Sequence, residues 1–575
     1  MTTRADTSAR PHSPTEESTP STKTIVLLFV GLMVTMLMAS LSQTILSTAL
    51  PTIVGQLGGV EQMTWVITGY ILASTVMMPV YGRVSDLFGR KPVLIGAVLL
   101  FMIGSVVGGL CNSMALLIVA RIIQGLGGGG LMILSQSAIA EVVPARERGK
   151  YMGVMGAVFA VSSVAGPLVG GWLTEGPGWR WAFWLNLPLG VLAIVAIVLF
   201  LHLPAPIRTQ RPTIDYLGMM LIAAATVAVV LVCTWGGSQY AWFSPQIMGL
   251  LAAALVLGAL FIRVEATASQ PVIPLGLFRN RSFVLATISG LLTGVAMFGV
   301  LSYMPTYIQM VAGVDATVAG LLMIPMMGGL LISSIVSGQL VTRTGRYKIF
   351  PLIGSAIMAV ALYLISTMTL ETSNVVMCIY IGIFGIGLGL GQQILMLIVQ
   401  DAFPVRILGT ATASFNYFKQ VGATIGSAIV GAVFASRLAT LLTENLSTVA
   451  QPSDAPGGAL DVNGLTPAAV AEMPDAFRIP IISSYNEALL PIVQWLIPVA
   501  LAVVVVMLFV KEKALSTSID RSVDESTVVG TGDWSALAAS AITEAADEDA
   551  ETPHGHDEHE TGSISGDKVP ATSGS

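Results

Sequence analysis

The amino-acid sequence predicts an all-α integral membrane protein with about fourteen transmembrane helices. Of its 575 residues, 54% are hydrophobic and only 10% are charged. A soluble domain carries about 25% charged residues, so most of this protein's exterior must face lipid. Apolar runs of about 20 residues recur along the chain, each long enough to cross a hydrocarbon core as a helix. Helices are predicted because an open sheet would leave backbone groups unpaired in lipid.

Fourteen apolar runs give the predicted spans. The first seven lie near residues 25–47, 64–82, 93–111, 115–139, 151–173, 181–201 and 215–235. The other seven lie near residues 246–264, 283–305, 316–340, 350–369, 375–399, 411–435 and 489–510.

Lysines and arginines in the short connections predict the orientation, because they concentrate on the cytosolic side of membrane proteins. With a cytosolic N-terminus, fifteen of them fall on the cytosolic face and only Arg180, Arg437 and Arg478 on the other. The fifteen are Arg83, Arg90, Lys91, Arg146, Arg148, Lys150, Arg208, Arg211, Arg263, Arg279, Arg281, Arg343, Arg346, Lys348 and Arg406. Because the number of spans is even, we expect a multi-pass plasma-membrane protein with both termini cytoplasmic. The overall style of its motifs favours a bacterial origin.

Three polar segments are predicted outside the spans. Residues 1–23 are rich in Ser, Thr and Pro, which favours a disordered cytosolic leader over a cleaved signal peptide. Residues 437–488 form a predicted extracytoplasmic loop that contains a short amphipathic helix. Residues 511–575 form an acidic tail with too few apolar residues for a core. Its three histidines fit a solvated segment better than a metal site.

The sequence indicates no cofactor, no metal and no nucleic-acid partner. The three cysteines lie inside apolar runs, which argues against a disulfide framework or a zinc site. No basic patch is interleaved with aromatic residues, and the sequence contains no P-loop motif. All five histidines lie in the tails or at a helix end, so the predicted spans offer no imidazole to a catalytic cluster. We therefore expect a protein that is not an enzyme.

A weak internal repeat divides the chain into two six-helix halves. The connections after the second and the tenth span share a glycine and arginine pattern, with Gly82 and Gly338 at equivalent places. The two match if residues 24–205 and 266–510 are corresponding halves and residues 206–265 are two inserted helices. A transporter built from two such repeats binds its substrate at their interface, near the middle of the membrane.

The connection after the second span combines glycines with charges, as Gly82, Asp86, Gly89, Arg90 and Lys91. Glycines allow a tight turn and a close approach of helices. An acid at such a turn can pair with a basic side chain or a helix N-terminus and so hold the cytosolic side together. The alternative is a loop whose positive charges only set the orientation.

Arg121 interrupts the fourth span and is followed by Gln124 and a glycine-rich run, residues 125–130. An arginine at the centre of a bilayer costs about 2.5–3.5 kcal/mol on insertion scales, so we expect it to face a wet cavity or a polar partner. The glycine run matches a dinucleotide-binding fingerprint only superficially, because no strand precedes it. The alternative interpretation is that Arg121 has a structural role only.

The fifth span contains Ser162, Gly166, Pro167, Gly170 and Gly171. Small residues four apart let two helices approach closely, and the proline removes a backbone donor and permits bending. Generic helix packing is the alternative interpretation of this segment.

Two further motifs are an aromatic segment at residues 179–190 and a segment of the first span at residues 41–53. Together the motifs are distributed over most of residues 24–510. They resemble the major facilitator superfamily, specifically its fourteen-helix drug:proton antiporter branch. The resemblance implies two six-helix halves plus two inserted helices. It also implies that Asp86 and Arg90 stabilise the outward-facing state.

The resemblance implies roles for the other two motifs as well. Arg121 would line the central cavity and take part in proton coupling. Gly166, Pro167 and Gly170 would belong to the motif that is typical of exporters.

Ser42 departs from the family's pattern, because many relatives have an aspartate there that is thought to exchange protons. No other carboxylate lies well inside a predicted span, whereas Arg121 and Lys419 are intramembrane cations. A cationic interior favours neutral or anionic amphipathic substrates over dications. Proton coupling would then use an acid at a helix end, such as Glu61 or Glu141, or competition between a buried cation and an anionic substrate.

Polar side chains within spans usually face the interior of the bundle, which makes them candidates for the substrate path. The candidates are Gln43, Trp65, Tyr70, Gln124, Gln392, Gln393, Asn416, Lys419 and Gln420. Helix–helix hydrogen bonding is the alternative for the polar residues, and anchoring at the membrane interface for Trp65 and Tyr70.

The sequence therefore predicts a secondary active exporter of small amphipathic compounds, with protons and the lipid bilayer as its other partners. Two alternatives stay open. One is a dedicated exporter of a single endogenous metabolite, lipid or anion. The other is a membrane sensor or scaffold that uses the outer loop and the acidic tail.

Overall fold

The protein was analysed as a computed structural model, which describes residues 22–201, 203, 214–237, 239–447, 470 and 473–515. Within these residues the chain forms fourteen helical spans that are long and apolar enough to cross a membrane. The prediction of an all-α protein with fourteen transmembrane helices is confirmed. The predicted leader as far as residue 21, the centre of the predicted outer loop and the acidic tail from residue 516, with its histidines, lie outside the described residues.

Seven helices form the first half, and α6 and α7 together make one span. They are α1 (Thr22–Leu57), α2 (Met63–Phe88), α3 (Arg90–Leu110), α4 (Met114–Val142), α5 (Ala145–Glu175), α6 (Trp181–Trp184) and α7 (Asn186–Phe200). The inserted pair consists of α8 (Tyr216–Trp235) and α9 (Pro245–Glu265).

Eight helices form the second half, in which α10 and α11 share one span and α12 and α13 another. They are α10 (Arg281–Leu301), α11 (Met304–Ala312), α12 (Ala316–Leu322), α13 (Ile324–Thr344), α14 (Ile349–Ser366), α15 (Asn374–Asp401), α16 (Leu408–Ser447) and α17 (Asp475–Leu508).

Short polar side chains define where several spans begin. Ser113, Asn280, Asp315 and Ser373 precede α4, α10, α12 and α15, and each accepts a hydrogen bond from a backbone N–H in the first turn of its helix. Such caps satisfy donors that have no partner within the helix. Gly89 alone separates α2 from α3, with a φ of 93° that glycine adopts without strain.

The two halves meet chiefly through two helix pairs, α5 with α13 and α2 with α16. The basic end of the bundle is the end where α2 meets α3 and α13 meets α14. The opposite end is called the distal end. The inserted helix α8 packs on α2 and α16, where the Thr226 hydroxyl lies 2.9 Å from the Tyr417 hydroxyl. Its partner α9 packs chiefly on α8, so most of its surface is left for lipid.

The helices at the distal end reach further than the hydropathy predicts. The segment 437–488 was predicted as a loop, but α16 continues to Ser447 and α17 begins at Asp475. Ile481 and Tyr485 of α17 belong to one buried apolar cluster with Leu438 and Leu442 of α16. The two helices therefore extend past the apolar run as a pair with its own small core. The amphipathic helix predicted there is the first part of α17.

The chain after α17 is fastened to the connection before α14. The Glu512 carboxylate accepts hydrogen bonds from the backbone N–H groups of Tyr347 and Lys348, at 2.8 and 3.2 Å. Lys348 Nζ donates to the Leu508 carbonyl, and the Lys513 N–H donates to the Tyr347 hydroxyl. Burial raises the pKa of Tyr347, so its hydroxyl stays protonated near neutral pH. We call these contacts the C-terminal clasp.

Candidate functional site

Asp86 lies in the last turn of α2, not in a loop as the sequence analysis expected. Its side chain is 2% exposed and faces the first turn of α16 in the other half. The carboxylate accepts hydrogen bonds from the N–H of Gly409 (3.0 Å), the N–H of Thr410 (2.7 Å) and the Thr410 hydroxyl (2.7 Å). A carboxylate at this position is stabilised by the positive end of the α16 dipole. Asp86 therefore ties the two halves together at the basic end.

Arg90 begins α3 and joins the same end of the bundle. Its Nη1 forms a 2.6 Å ion pair with Glu141 of α4 and donates to the Ser137 carbonyl. Its Nη2 donates to the Val405 carbonyl, just before α16, and lies 3.5 Å from Asp86. The stronger ionic partner of Arg90 is therefore Glu141, which the sequence analysis named only as an acid at a helix end. Nothing in the spacing of the two residues pairs them, because 51 positions separate them.

The second contact between the halves is a close approach of α5 to α13. The Ser334 hydroxyl donates to the Gly153 carbonyl at 3.1 Å, and a Cβ on Gly338 would overlap the Gly149 carbonyl. Arg148 Nη1 donates to the carbonyl of Gln400, on α15. Together with the Asp86 contacts, these interactions hold the basic ends of the two halves against each other.

A buried layer of amides lies above these contacts. Asn416 Nδ2 donates to Gln136 Oε1 at 2.9 Å, and Gln400 Nε2 lies 3.4 Å from both the Gln136 carbonyl and the Thr412 hydroxyl. Asn416, a predicted path residue, is 5% exposed and thus takes part in closing the interface. The sequence analysis did not name Gln136 or Gln400. An amide within the apolar span 115–139 is a signal that identifies Gln136, whereas Gln400 lies just beyond the predicted span 375–399 and gives no such signal.

Lys419 and Gln420 lie one turn of α16 further toward the distal end and are half-buried. Among the described residues, the Lys419 ammonium makes no hydrogen bond and no ion pair. On the neighbouring α15, Gln393 is half-buried beside Gly156, and Gln392 Nε2 lies 4.0 Å from the Met297 sulfur. Four of the predicted path residues therefore lie on two adjacent helices of the second half.

Arg121 lies inside the first half and is 1% exposed. Its Nη1 donates to Gln124 Oε1 at 2.8 Å, and Gln124 Nε2 donates to the Ser105 hydroxyl at 2.8 Å. Its Nε lies 3.3 Å from the Val66 carbonyl, and its guanidinium carbon lies 4.1 Å from the centre of the Tyr70 ring. Arg121, Gln124 and Tyr70 thus form one buried network across α2, α3 and α4. The expected polar partner of Arg121 is therefore Gln124, and its place in the central cavity stays a prediction.

The two remaining path candidates are separated from that network. Trp65 packs edge-on against Trp235 of the inserted helix α8, with ring centres 6.1 Å apart. Gln43 is exposed on α1. A cavity of about 320 Å³ lies at the distal end of the second half, between Tyr307, Met368 and Asn374, and none of the predicted path residues lines it.

The glycines of α5 bring it close to α1. A Cβ on Gly166 would overlap the Thr44 side chain, and one on Gly170 would lie 2.9 Å from the Ile45 carbonyl. Thr44 donates a hydrogen bond to the Ser162 carbonyl at 3.0 Å. Pro167, in the same turn, is exposed. The small residues of this segment are therefore required for the contact between α1 and α5.

The family is decided by a comparison with known protein families, in which the Major Facilitator Superfamily matches residues 32–427. The chain belongs to this superfamily. A solved structure of the xylose transporter XylE, as a double tryptophan mutant, superposes with a TM-score of 0.55 at 14% identity, over 86% of this chain and 98% of that one. The human organic anion transporter MFSD10 gives 0.55 at 13% identity, over 84% and 99%. Both likenesses concern the fold alone.

Bacterial members of the superfamily are considerably more similar. A Mycobacterium tuberculosis MFS-type transporter described as uncharacterized is 40% identical over 87% of this chain and 71% of its own length. The multidrug transporter protein MdtP of Bacillus subtilis is 37% identical over 81% and 88%. Multidrug resistance protein 3 of the same species is 32% identical over 87% and 97%. The superfamily resemblance seen in the motifs is confirmed, and the protein is a multi-pass membrane transporter.

Proposed function

We propose that this superfamily member is a secondary active exporter of small amphipathic compounds, coupled to protons and working by alternating access. Two relatives at 32% and 37% identity carry multidrug names, which supports drug-like cargo. The structural observation that carries the proposal is the α1–α5 contact at Gly166 and Gly170, because it uses the segment that resembles the motif typical of exporters.

The distribution of positive charge supports an orientation with the basic end in the cytosol, across a plasma membrane. In that orientation, Asp86 and its α16 partners hold the cytosolic side closed. Hydrogen bonds to an ionised group contribute about 1.5–3 kcal/mol each, so three of them at one carboxylate favour the outward-facing state strongly. Release of this contact is then a required step of each transport cycle.

Lys419 supports neutral or anionic cargo. An ammonium group within a span has a high energy unless it meets a polar or anionic partner. Among the described residues its side chain has no ionic partner, and the uncharged amides Gln420, Gln392 and Gln393 lie on the same helix or on the adjacent α15. An acidic group on a substrate would supply the missing counter-charge, whereas a dication would be repelled.

Export of dyes from a drug-sensitive bacterial host tests this proposal, with anionic, neutral and dicationic dyes of similar size. The wild-type protein should export the anionic and the neutral dye. Lys419→Gln should reduce export of the anionic dye about tenfold, equivalent to about 1.4 kcal/mol, and leave the neutral dye unchanged. Lys23→Gln, which removes an exposed lysine at the start of α1, is the matched control. A clear preference for dications would contradict the proposed cargo, and an absence of all export from cells that contain the protein would contradict the function.

A further inference from the structure

Two acidic residues lie together where the inserted helices begin and end. Asp215 precedes α8, and its Oδ1 accepts a hydrogen bond from the Gly218 N–H at 2.8 Å. Glu265 is the last residue of α9 and is 3% exposed, and its Oε1 accepts a hydrogen bond from the Val272 N–H at 3.1 Å. Each carboxylate therefore uses one oxygen to fasten a helix end.

The two carboxylates approach each other across Gly218. A Cβ built on Gly218 would lie 2.5 Å from Asp215 Oδ2 and 3.0 Å from Glu265 Oε1. Asp215 Oδ2 and Glu265 Oε2 are both buried and have no hydrogen-bond partner within the described part of the chain. A buried oxygen of this kind is costly when it is charged, and two like charges in one buried site oppose each other.

The helix dipoles distinguish the two acids. Asp215 lies at the N-terminus of α8, which is the positive end of that helix's dipole. Glu265 lies at the negative end of α9, which favours its neutral form. Within the described residues, the cation near Glu265 is Arg83 of α2, which also interacts electrostatically with Asp86 and Arg406.

We propose that Asp215 and Glu265 form a proton-binding site, in which the pair holds a single proton on Glu265. The inference deepens the proposed function and rests on it for the role of the proton, since Ser42 provides no acid. Glu265 takes up its proton from water at the basic end and returns it there, so loss of the proton gives the pair one more negative charge. That charge attracts Arg83 and weakens the attraction of Arg83 for Asp86, one turn further along α2.

This site connects the inserted helices to the contact that closes the basic end. Asp86 holds α16 through Gly409 and Thr410, and Arg83 is the charged group shared between Asp86 and Glu265. When Glu265 is protonated, Arg83 balances the charge of the buried Asp86 carboxylate, which favours the closed contact. When Glu265 is ionised, Arg83 is shared between two carboxylates and the closed contact weakens.

Infrared spectroscopy of the full-length protein in lipid vesicles tests the site without requiring transport. A protonated carboxyl group gives a C=O band that shifts in heavy water. We expect the wild type to carry such a band at neutral pH that is missing from Glu265→Gln and retained in Glu147→Gln, an exposed acid at the same end. Asp215→Asn should retain the band, because a lone buried Glu265 is still neutral. An identical band intensity in the wild type and Glu265→Gln overturns the proposal, as does a spectrum that responds to sodium but not to pH.

Dye export from the same vesicles then tests the role of the proton. The pH of half-maximal export should shift by about one unit, a tenfold change in proton concentration, in Glu265→Gln but not in Glu147→Gln. An unchanged pH profile overturns the coupling role, even if the infrared band is as expected. If wild-type vesicles export nothing, the proposed function fails while the infrared result still decides the site. Before either experiment, chromatography confirms that each purified variant elutes as a folded species.

Discussion

Replacing Asp86 by asparagine should weaken the contact that closes the basic end. The carboxylate accepts three hydrogen bonds of 2.7–3.0 Å from Gly409 and Thr410. Asparagine offers one acceptor oxygen, and its NH₂ group would face a backbone N–H. Hydrogen bonds to charged groups contribute about 1.5–3 kcal/mol and neutral ones about 0.5–1.5 kcal/mol, so the change should cost about 3 kcal/mol. The closed state should thus lose roughly a hundredfold in relative population.

Pulsed spin-label distance measurements across the basic end can detect this shift. Labels at Glu147 of α5 and Thr344 of α13, which are both exposed, report the separation of the two halves. Asp86→Asn should add a population at longer distance that is small in the wild type. Thr410→Val is the matched control, because it removes only the hydroxyl and should cost about 1 kcal/mol. The reasoning is refuted if Asp86→Asn leaves the distances unchanged, or if Thr410→Val has an equal effect.

Two further predictions concern packing within the first half. Gly166→Ala should destabilise the protein by about 1–3 kcal/mol, because its methyl group would overlap Thr44. Gly171→Ala is the control, because a methyl group there has open space and should have almost no effect. The melting temperatures of the two variants in detergent are compared, and equal values would show that the α1–α5 contact is not tight. Arg121→Gln should lower the melting temperature more than either alanine variant, because Gln124 and the backbone lose a buried charged donor. A full loss of export at an unchanged melting temperature would instead assign Arg121 a direct role in transport.

The span count and the superfamily were predictable because they depend on properties that are local in sequence. Apolar length identifies a transmembrane helix, and the spacing around Asp86 and Gly166 is local as well. The neighbours that a side chain meets depend on how the helices pack, which local sequence does not determine. Arg121 has the same sequence context whether it faces a cavity or, as in the structure, Tyr70 and Gln124.

The longer helices at the distal end were missed for a related reason. Their apolar residues alternate with polar ones, so the mean hydropathy of the segment is low although Leu438 and Tyr485 are buried together. The partnership between Arg90 and Glu141 also depends on how α3 packs on α4, which the spacing of two distant residues does not contain. The predicted domain boundaries and the transport roles of the named residues stay predictions.

The C-terminal clasp limits where the chain can be cut or extended. Glu512 lies only four residues beyond the end of α17, yet it supplies the acceptor for two backbone donors ahead of α14. A truncation after Val510 should therefore loosen a connection more than 160 residues earlier, although it removes no part of a span. An affinity tag or fluorescent protein joined beyond Leu515 leaves that fastening intact, which makes it the better place for a reporter.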